Sequence, residues 1–247
     1  MKATLLTLTR AIITFPQLIL CLPLAAWGAD AELRAGGMNA TQTFREPMAV
    51  ELVRVIERED LSGVENALAH GANINAVGES GQTPLHWSLL KLGIAERTVR
   101  LLLSKGADPN YPMSNGESPL HLTAGGNRHD LLELFLKTGG NPNVQTRIGR
   151  TPLMDAIASQ YDQNVNLLLK FGADPNLGET CSSTVANARF DYTVALLRAG
   201  LTKGLSYCGR LVKRRVIQQG GPREKYRQQV FDILAERGIH PPFTEQE

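Results

Sequence analysis

The sequence of 247 residues lacks the short motifs by which the common enzyme sites are recognised. It contains no G-x-S-x-G nucleophile elbow, no P-loop, no G-x-G-x-x-G fingerprint and no H-E-x-x-H zinc motif. Each of these motifs places a nucleophile, a phosphate cradle or a metal at a defined turn or helix. We therefore predict a protein that is not an enzyme and that holds no cofactor or metal. A catalytic site assembled from scattered residues is the remaining alternative.

An excess of charge of either sign is also missing. The chain has 26 lysine and arginine residues against 24 aspartate and glutamate residues. Two of the basic residues, Lys2 and Arg10, lie in an N-terminal segment without acids, so the rest of the chain is neutral. Because nucleic-acid binding needs a dense basic surface, we exclude a nucleic acid as the partner.

The first 28 residues have the layout of a secretory signal peptide. Two basic residues precede the apolar run AIITFPQLILCLPLAAW, and small residues stand at the −3 and −1 positions of a cleavage site after Gly28. We predict export to the periplasm, with cleavage after Gly28 or, as a second choice, after Ala31. An uncleaved membrane anchor is the alternative, since the run approaches the roughly 20 residues that span a bilayer.

Cysteine is scarce, with three residues in the whole chain. Cys21 follows Leu20 where a lipoprotein signal needs a small residue, so we discount lipidation. Cys181 and Cys208 remain, and an even number in an oxidising compartment permits one disulfide. Neighbouring helices lie about 8–10 Å apart, so the bridge requires a local approach to about 6 Å between Cα atoms. We predict the disulfide; two unpaired buried cysteines are the alternative.

In place of catalytic motifs the chain contains a repeat. One marker recurs at spacings of 35, 33 and 33 residues: GANIN at 71–75, GADPN at 106–110, GGNPN at 139–143 and GADPN at 172–176. A second marker runs in phase with it: TPLH at 83–86, SPLH at 118–121 and TPLM at 151–154. Two independent markers with one period predict a stack of equal units.

Each unit is predicted to contain two helices. In the best-formed unit, the hydroxyl of Thr83 caps the first helix and Pro84 occupies its first position, where the missing N–H costs nothing. Val99 and Leu102 belong to the apolar stripe of the second helix, which Gly106 ends. The polar segment between units, such as NPNVQTRIG, is too short for a helix and is predicted to form a hairpin-like turn.

These motifs resemble the ankyrin repeat, whose consensus runs from T-P-L-H to L-L-x-x-G-A-D-x-N. The resemblance implies an all-α solenoid of helix-turn-helix units with hairpin-like turns. It covers residues 46–204, in units of about 46–78, 79–113, 114–146, 147–179 and 180–204. A polar linker at 29–45 precedes the units, with Phe44 as its candidate for packing on the first unit, and a helical cap at 205–247 follows them. The last unit lacks the proline, the histidine and about four residues, which we assign to its first helix.

The repeated histidines, His86 and His121, are predicted to be structural. The resemblance implies that each forms hydrogen bonds within its turn and with the hydroxyl residue of its own motif. A metal would need further ligands nearby, and no cysteine or carboxylate recurs beside either histidine. The third unit has Met154 at this position, as a structural position permits.

The resemblance also implies where a partner binds, because the non-consensus positions lie on the turn tips and the exposed face of the first helices. On the turns these positions are Glu79, Gln82, Tyr111, Met113, Asn115, Glu117, Arg147, Ile148 and Arg150. On or after the first helices they are Trp87, Asp155 and Tyr161. Arginine and aromatic side chains are favoured as binding hot spots. For Trp87, packing between repeats is an equally open alternative.

The C-terminal part differs from the rest in charge. Residues 177–247 contain 11 basic and 7 acidic residues. The basic residues either form a solvated cap or attract an acidic partner or anionic lipid headgroups. Taken together, the sequence predicts an exported, monomeric binding protein. It serves as an adaptor or accessory protein, or alternatively as an immunity protein that neutralises a toxin or hydrolase acting in the periplasm.

Overall fold

A computed structural model describes residues 39–91 and 96–243. The predicted signal peptide at 1–28 and the first part of the predicted linker lie outside these residues. Within the described ranges every regular element is a helix and no strand occurs, which confirms the all-α class.

Thirteen helices follow one another in the described part of the chain. They are α1 Ala40–Thr43, α2 Pro47–Glu57, α3 Leu61–Ala69, α4 Pro84–Leu90, α5 Glu96–Ser104, α6 Pro119–Ala124, α7 His129–Lys137, α8 Pro152–Ser159, α9 Asp162–Lys170, α10 Thr180–Ala186, α11 Phe190–Arg198, α12 Leu205–Arg214 and α13 Pro222–Glu236. From α2 to α11 they form five pairs, each packed together, and α12 with α13 makes a sixth. The first helices of successive pairs also pack on one another, from α2 through α12, so the pairs form one continuous stack.

The two histidines complete the starts of α4 and α6. The Nδ1 atom of His86 accepts a hydrogen bond from the backbone N–H of Thr83 at 3.2 Å. His121 accepts in the same way from Ser118 at 3.1 Å, and its Nε2 donates to the carbonyl of Arg150 in the next unit. Burial lowers the pKa of His86 to about 4 and also lowers that of His121, which keeps both rings neutral acceptors.

One apolar core runs through the pairs. The leucine after each helix-starting proline is buried in three successive units, at Leu85, Leu120 and Leu153. The second helices contribute Val99 and Leu102 and their equivalents to the same core. The repeat therefore works as a packing pattern, because each unit has apolar side chains that only its neighbours can cover.

Asparagine side chains bridge each unit to the next. The side chain of Asn110 donates to the carbonyl of Gly139 at 2.9 Å and accepts from the backbone N–H of Asn141 at 2.7 Å. The other three markers end in asparagines that form the same pair of bonds one unit further along: Asn75 with Gly106 and Asp108, Asn143 with Gly172 and Asp174, and Asn176 with Gly200 and Thr202. We call these four residues the asparagine ladder.

The fifth pair is shortened in its turn and not in its first helix, so our assignment of the missing residues to that helix is wrong. Helix α10 has seven residues, as many as α4. It begins four positions after Asn176, whereas α8 begins nine positions after Asn143. Without a T-P-L motif the helix start is not marked in the sequence, which is why the position of the deletion was misplaced.

The predicted linker belongs in part to the stack. Asn39 caps the short helix α1 by accepting a hydrogen bond from Gln42. Phe44 is fully buried and packs edge-to-face on Trp87, with 6.0 Å between the ring centroids. Residues 39–45 therefore cover the outer side of the first pair in place of a further repeat.

The predicted disulfide is present. It joins Cys181 in α10 to Cys208 in α12, with 5.8 Å between the Cα atoms, and both side chains are buried. The bridge therefore connects the first helix of the shortened pair to the first helix of the cap.

We expect N110A to lower the free energy of unfolding by about 2 kcal/mol, because two hydrogen bonds between units are lost at roughly 1 kcal/mol each. N110D keeps the acceptor and is expected to lose about half as much. N127A, which changes an exposed asparagine without an inter-unit bond, is the control. Denaturant unfolding tests this, and equal stability of N110A and N127A would show that the ladder does not couple the units.

We expect reduction of the disulfide to lower the free energy of unfolding by between about 3 and 4 kcal/mol, because the bridge closes a loop of 27 residues in the unfolded chain. The chain from residue 29 contains no other cysteine. Thiol titration of that chain, unfolded without reductant, should therefore find no free thiol. Two free thiols would contradict the bridge.

Candidate functional site

The turns before α4, α6 and α8 present their tips side by side. The backbone N–H of Ser114 donates to the carbonyl of Ser80 at 2.9 Å, and that of Arg147 donates to the carbonyl of Asn115 at 3.2 Å. At the N-terminal end of the row, the backbone N–H of Glu79 donates in the same way to the carbonyl of Thr43 at 2.9 Å. We call the residues 79–80, 114–115 and 147–148 the tip row.

Two glycines allow the tips to approach so closely. Gly81 and Gly116 have φ values of 82° and 86°, in the left-handed region. A Cβ atom at Gly116 would lie 2.7 Å from the backbone nitrogen of Arg147, and one at Gly81 would lie 2.8 Å from that of Ser114. Any side chain at either position would push the neighbouring tip away.

The tip row ends openly at its third member. The equivalent glycine, Gly149, has the same left-handed backbone, but no atom of another described residue lies within 4 Å of the position of its Cβ. The shortened turn after Asn176 supplies no fourth tip. It approaches the third tip only where Gly178 lies against the carbonyl of Gly149, 3.0 Å from the position that a Cβ of Gly178 would take. Ile148 stands at this open end with 85% of its surface exposed, and the side chain of Arg147 beside it is also exposed.

Several predicted binding residues lie on or near this surface. Glu79, Asn115, Arg147 and Ile148 are exposed on the tips. Glu79 forms an exposed ion pair with Arg45 at 3.0 Å. The half-buried members of the predicted set are Tyr111, Met113, Arg150 and Tyr161. Val77, which is half exposed on the first turn, was not predicted, although an apolar residue at a variable turn position was a signal for it.

Tyr161 is not part of the tip row. It is the N-cap residue of α9 and follows the C-terminal end of α8, whereas Arg150 precedes the N-terminal end of α8. The eight residues of α8 separate the two positions by about 12 Å along the helix.

Four predicted surface residues are buried, and their assignment to an exposed binding surface is wrong. They are Gln82, Trp87, Glu117 and Asp155. Gln82 and Glu117 directly precede helix caps, and their side chains fold back to accept hydrogen bonds within their own turns. Trp87 and Asp155 occupy the fourth position of first helices, which pack on the neighbouring first helices.

Trp87 is a packing residue at the N-terminal end of the stack. Only 3% of its surface is exposed, and its indole N–H donates to Glu57 at 3.0 Å. The ammonium group of Lys91 lies 5.1 Å from the ring centroid and is paired with the same glutamate. The alternative that Trp87 packs between repeats is therefore the correct one.

Asp155 is a buried acid behind the tip row. One carboxylate oxygen is paired with Arg150, and the other has no hydrogen-bond partner among the described residues. Burial raises the pKa of Asp155 to about 7, against the opposing effect of Arg150 and with a further increase from Glu117. The charge of this carboxylate therefore changes near neutral pH.

The described residues contain no candidate metal centre. Among residues 39–91 and 96–243, no group of three His, Cys, Asp or Glu side chains is placed to hold a metal. In the same ranges no helix is both long and apolar enough to cross a membrane. The tip row is thus the candidate site that the geometry provides.

The comparison with known proteins supports a binding role for the repeats. A family model of ankyrin repeats in three copies matches residues 93–179. The Notch-regulated ankyrin repeat-containing protein B of Danio rerio is 38% identical over 95 residues, which make up 38% of this chain and 84% of that protein.

Two longer proteins are similar over a shorter stretch. The intracellular phospholipase A2 of Caenorhabditis elegans is 40% identical over 69 residues, 27% of this chain and 6% of that protein. An ankyrin repeat protein of fowlpox virus is 33% identical over 82 residues, 33% of this chain and 14% of that protein. The likeness covers only a small part of these two proteins.

We expect D155N to gain stability relative to the parent as the pH rises from 4 to 8. The folded-state pKa of about 7 lies above that of an unfolded aspartate, near 3.9, so between these values the folded chain keeps a proton that the unfolded chain releases. The free energy of unfolding of the parent therefore falls with pH in this window, by roughly 2–4 kcal/mol. The contribution of His86 has the opposite sign but is common to both proteins. Denaturant unfolding at pH 4.5, 6 and 8 measures the difference, and parallel profiles would contradict the buried acid.

Proposed function

Because the chain belongs to the ankyrin repeat family, whose repeats are protein-binding modules, we propose that this protein captures a partner protein in the periplasm through its tip row. Ankyrin repeats are in general non-catalytic scaffolds, and the geometry of the tip row fits that role. The protein then acts by binding its partner and not by catalysing a reaction itself.

The observation that carries the proposal is the open end of the tip row at Ile148. Ile148, with 85% of its surface exposed, offers apolar area whose burial against a partner would stabilise a complex. Arg147 beside it is a residue type favoured in binding hot spots. The tips pair through their backbones, and among the described residues no backbone N–H donates to the carbonyl of Ile148, the equivalent of the paired carbonyls of Ser80 and Asn115. An extended segment of the partner fits there, because it would continue the pairing of the row.

Two features support the periplasm as the place of binding. The N-terminal segment has the charge, length and small residues of a signal peptide. The disulfide between Cys181 and Cys208 is of the kind that persists in an oxidising compartment. In the role we propose, the protein is a monomeric adaptor or accessory protein. An immunity protein that neutralises a toxin or hydrolase is the alternative.

We expect R147A/I148S to reduce partner capture at least tenfold and to change the melting temperature by less than about 2 °C, since both side chains are exposed. R198A/A199S is the control, because it changes an adjacent arginine and aliphatic residue that are both exposed at the end of α11 and lie outside the tip row. Cross-linking in periplasmic extract, followed by affinity purification, compares the three proteins. Equal capture by R147A/I148S and the parent would place the binding surface elsewhere.

The identity of the captured protein separates the two roles. A toxin or hydrolase whose activity falls on binding, and returns with R147A/I148S, favours the immunity role. A resident periplasmic enzyme that keeps its activity when bound favours the adaptor role.

A further inference from the structure

The loop at 215–221 joins the end of α12 to the start of α13 and gathers positive charge at one end of the cap. Three cations lie at the end of α12 or directly after it, and three lie in the first two turns of α13. We call these six residues the basic end: Lys213, Arg214, Arg215, Arg223, Lys225 and Arg227. All are exposed except Arg227, which is half-buried.

The basic end has no acidic partners in the described part of the chain. No ion pair there includes any of its six members. The single acid between residues 213 and 227 is Glu224, whose carboxylate accepts a hydrogen bond from the backbone N–H of Gly220. Arg215 donates to a backbone carbonyl, that of Ala186 at 3.1 Å. The local field is therefore strongly positive, although the chain as a whole is almost neutral.

Helix stability accounts for only two of the six cations. Lys213 and Arg214 lie in the last turn of α12, where cations are favourable against the negative end of the helix dipole. Arg223, Lys225 and Arg227 lie near the positive end of α13, where cations are unfavourable. Their presence in this position needs a reason outside the helix.

An apolar side chain lies among these cations. Val216 has 91% of its surface exposed, directly after Arg215. Tyr207 and Tyr226, on the two helices that the loop joins, are also exposed. Tyr226 lies in the first two turns of α13, close to the loop in sequence, whereas Tyr207 lies at the far end of α12. An apolar loop residue with an aromatic residue in the next helix and Lys and Arg around it is typical of protein surfaces that lie in the headgroup region of a bilayer.

We propose that the basic end binds the surface of an anionic phospholipid bilayer. The six cations contact headgroup phosphates, and Val216 enters the boundary between headgroups and acyl chains. An acidic protein is the alternative occupant; the exposed Tyr226 on the neighbouring helix, together with Val216 and the surrounding Lys and Arg, favours the bilayer. The basic end shares no residue with the tip row, so a membrane-bound molecule keeps its tips free for a partner.

Vesicle co-sedimentation in 0.1 M salt tests the proposal, with the chain from residue 29, which contains every described helix. Vesicles of phosphatidylcholine with 30% phosphatidylglycerol are compared with phosphatidylcholine alone. We expect the parent to bind only the anionic vesicles. K213Q/R214Q/K225Q/R227Q should weaken binding by roughly several hundredfold, since each basic residue near an anionic surface contributes about fivefold. V216S should weaken it about fivefold.

The control removes the same charge from exposed positions elsewhere. R58Q/K170Q/R198Q/K203Q changes four exposed cations without ion pairs in the described residues and should weaken binding less than fivefold. Circular dichroism checks that both quadruple variants are folded. R147A/I148S should bind vesicles like the parent, so failure here and failure of partner capture are distinguishable.

Three results would overturn the proposal. One is the absence of binding to anionic vesicles, and another is an equal loss in the two quadruple variants. The third is tighter binding to polyglutamate than to anionic vesicles, with no effect of V216S, which would identify an acidic protein as the occupant.

Discussion

The hydrogen bonds of the asparagine ladder are the constraint on which the rest of the structure depends. Each asparagine both donates to and accepts from the backbone of the following unit, as Asn110 does with Gly139 and Asn141. Two bonds to neighbouring backbone positions fix the distance between units and also their register. Because the register is fixed, the helix starts and the turns recur at the same height in every unit.

The tip row follows from this register. Fixed turns bring the backbone of Ser114 to Ser80 and that of Arg147 to Asn115, and glycine at 81 and 116 makes room for the approach. The shortened turn after Asn176 keeps its ladder bond to Gly200 but contributes no tip. The stack thus continues into the disulfide-bonded cap, while the row of tips stops at Ile148. The candidate site lies where the asparagine ladder continues but the tip row ends.

The sequence predicts the fold better than the site, for a physical reason. Periodic markers and helix caps act within a few residues, so the helix pairs, the capping histidines and the cysteine pair could be predicted. Exposure depends on what covers a side chain. Trp87 is covered by Phe44, which belongs to the predicted linker at 29–45. Asp155 is covered by the neighbouring first helices. The resemblance prescribed neither contact. The position of the missing turn residues could not be predicted from the sequence either, since α10 has no T-P-L motif to mark its start.

Amide hydrogen exchange of the folded chain tests the central claim most directly, because the ladder and the tip row make specific backbone N–H groups donors. We predict slow exchange at the backbone N–H groups of Asn141, Ser114 and Arg147, because each donates a hydrogen bond to the preceding unit. This holds although the side chains of Asn141 and Arg147 are exposed. We predict fast exchange at Ile148, whose backbone N–H donates no hydrogen bond among the described residues. Exchange at Ser114 and Arg147 as fast as in an unfolded peptide would show that the turns are not held in a row, and would contradict the account.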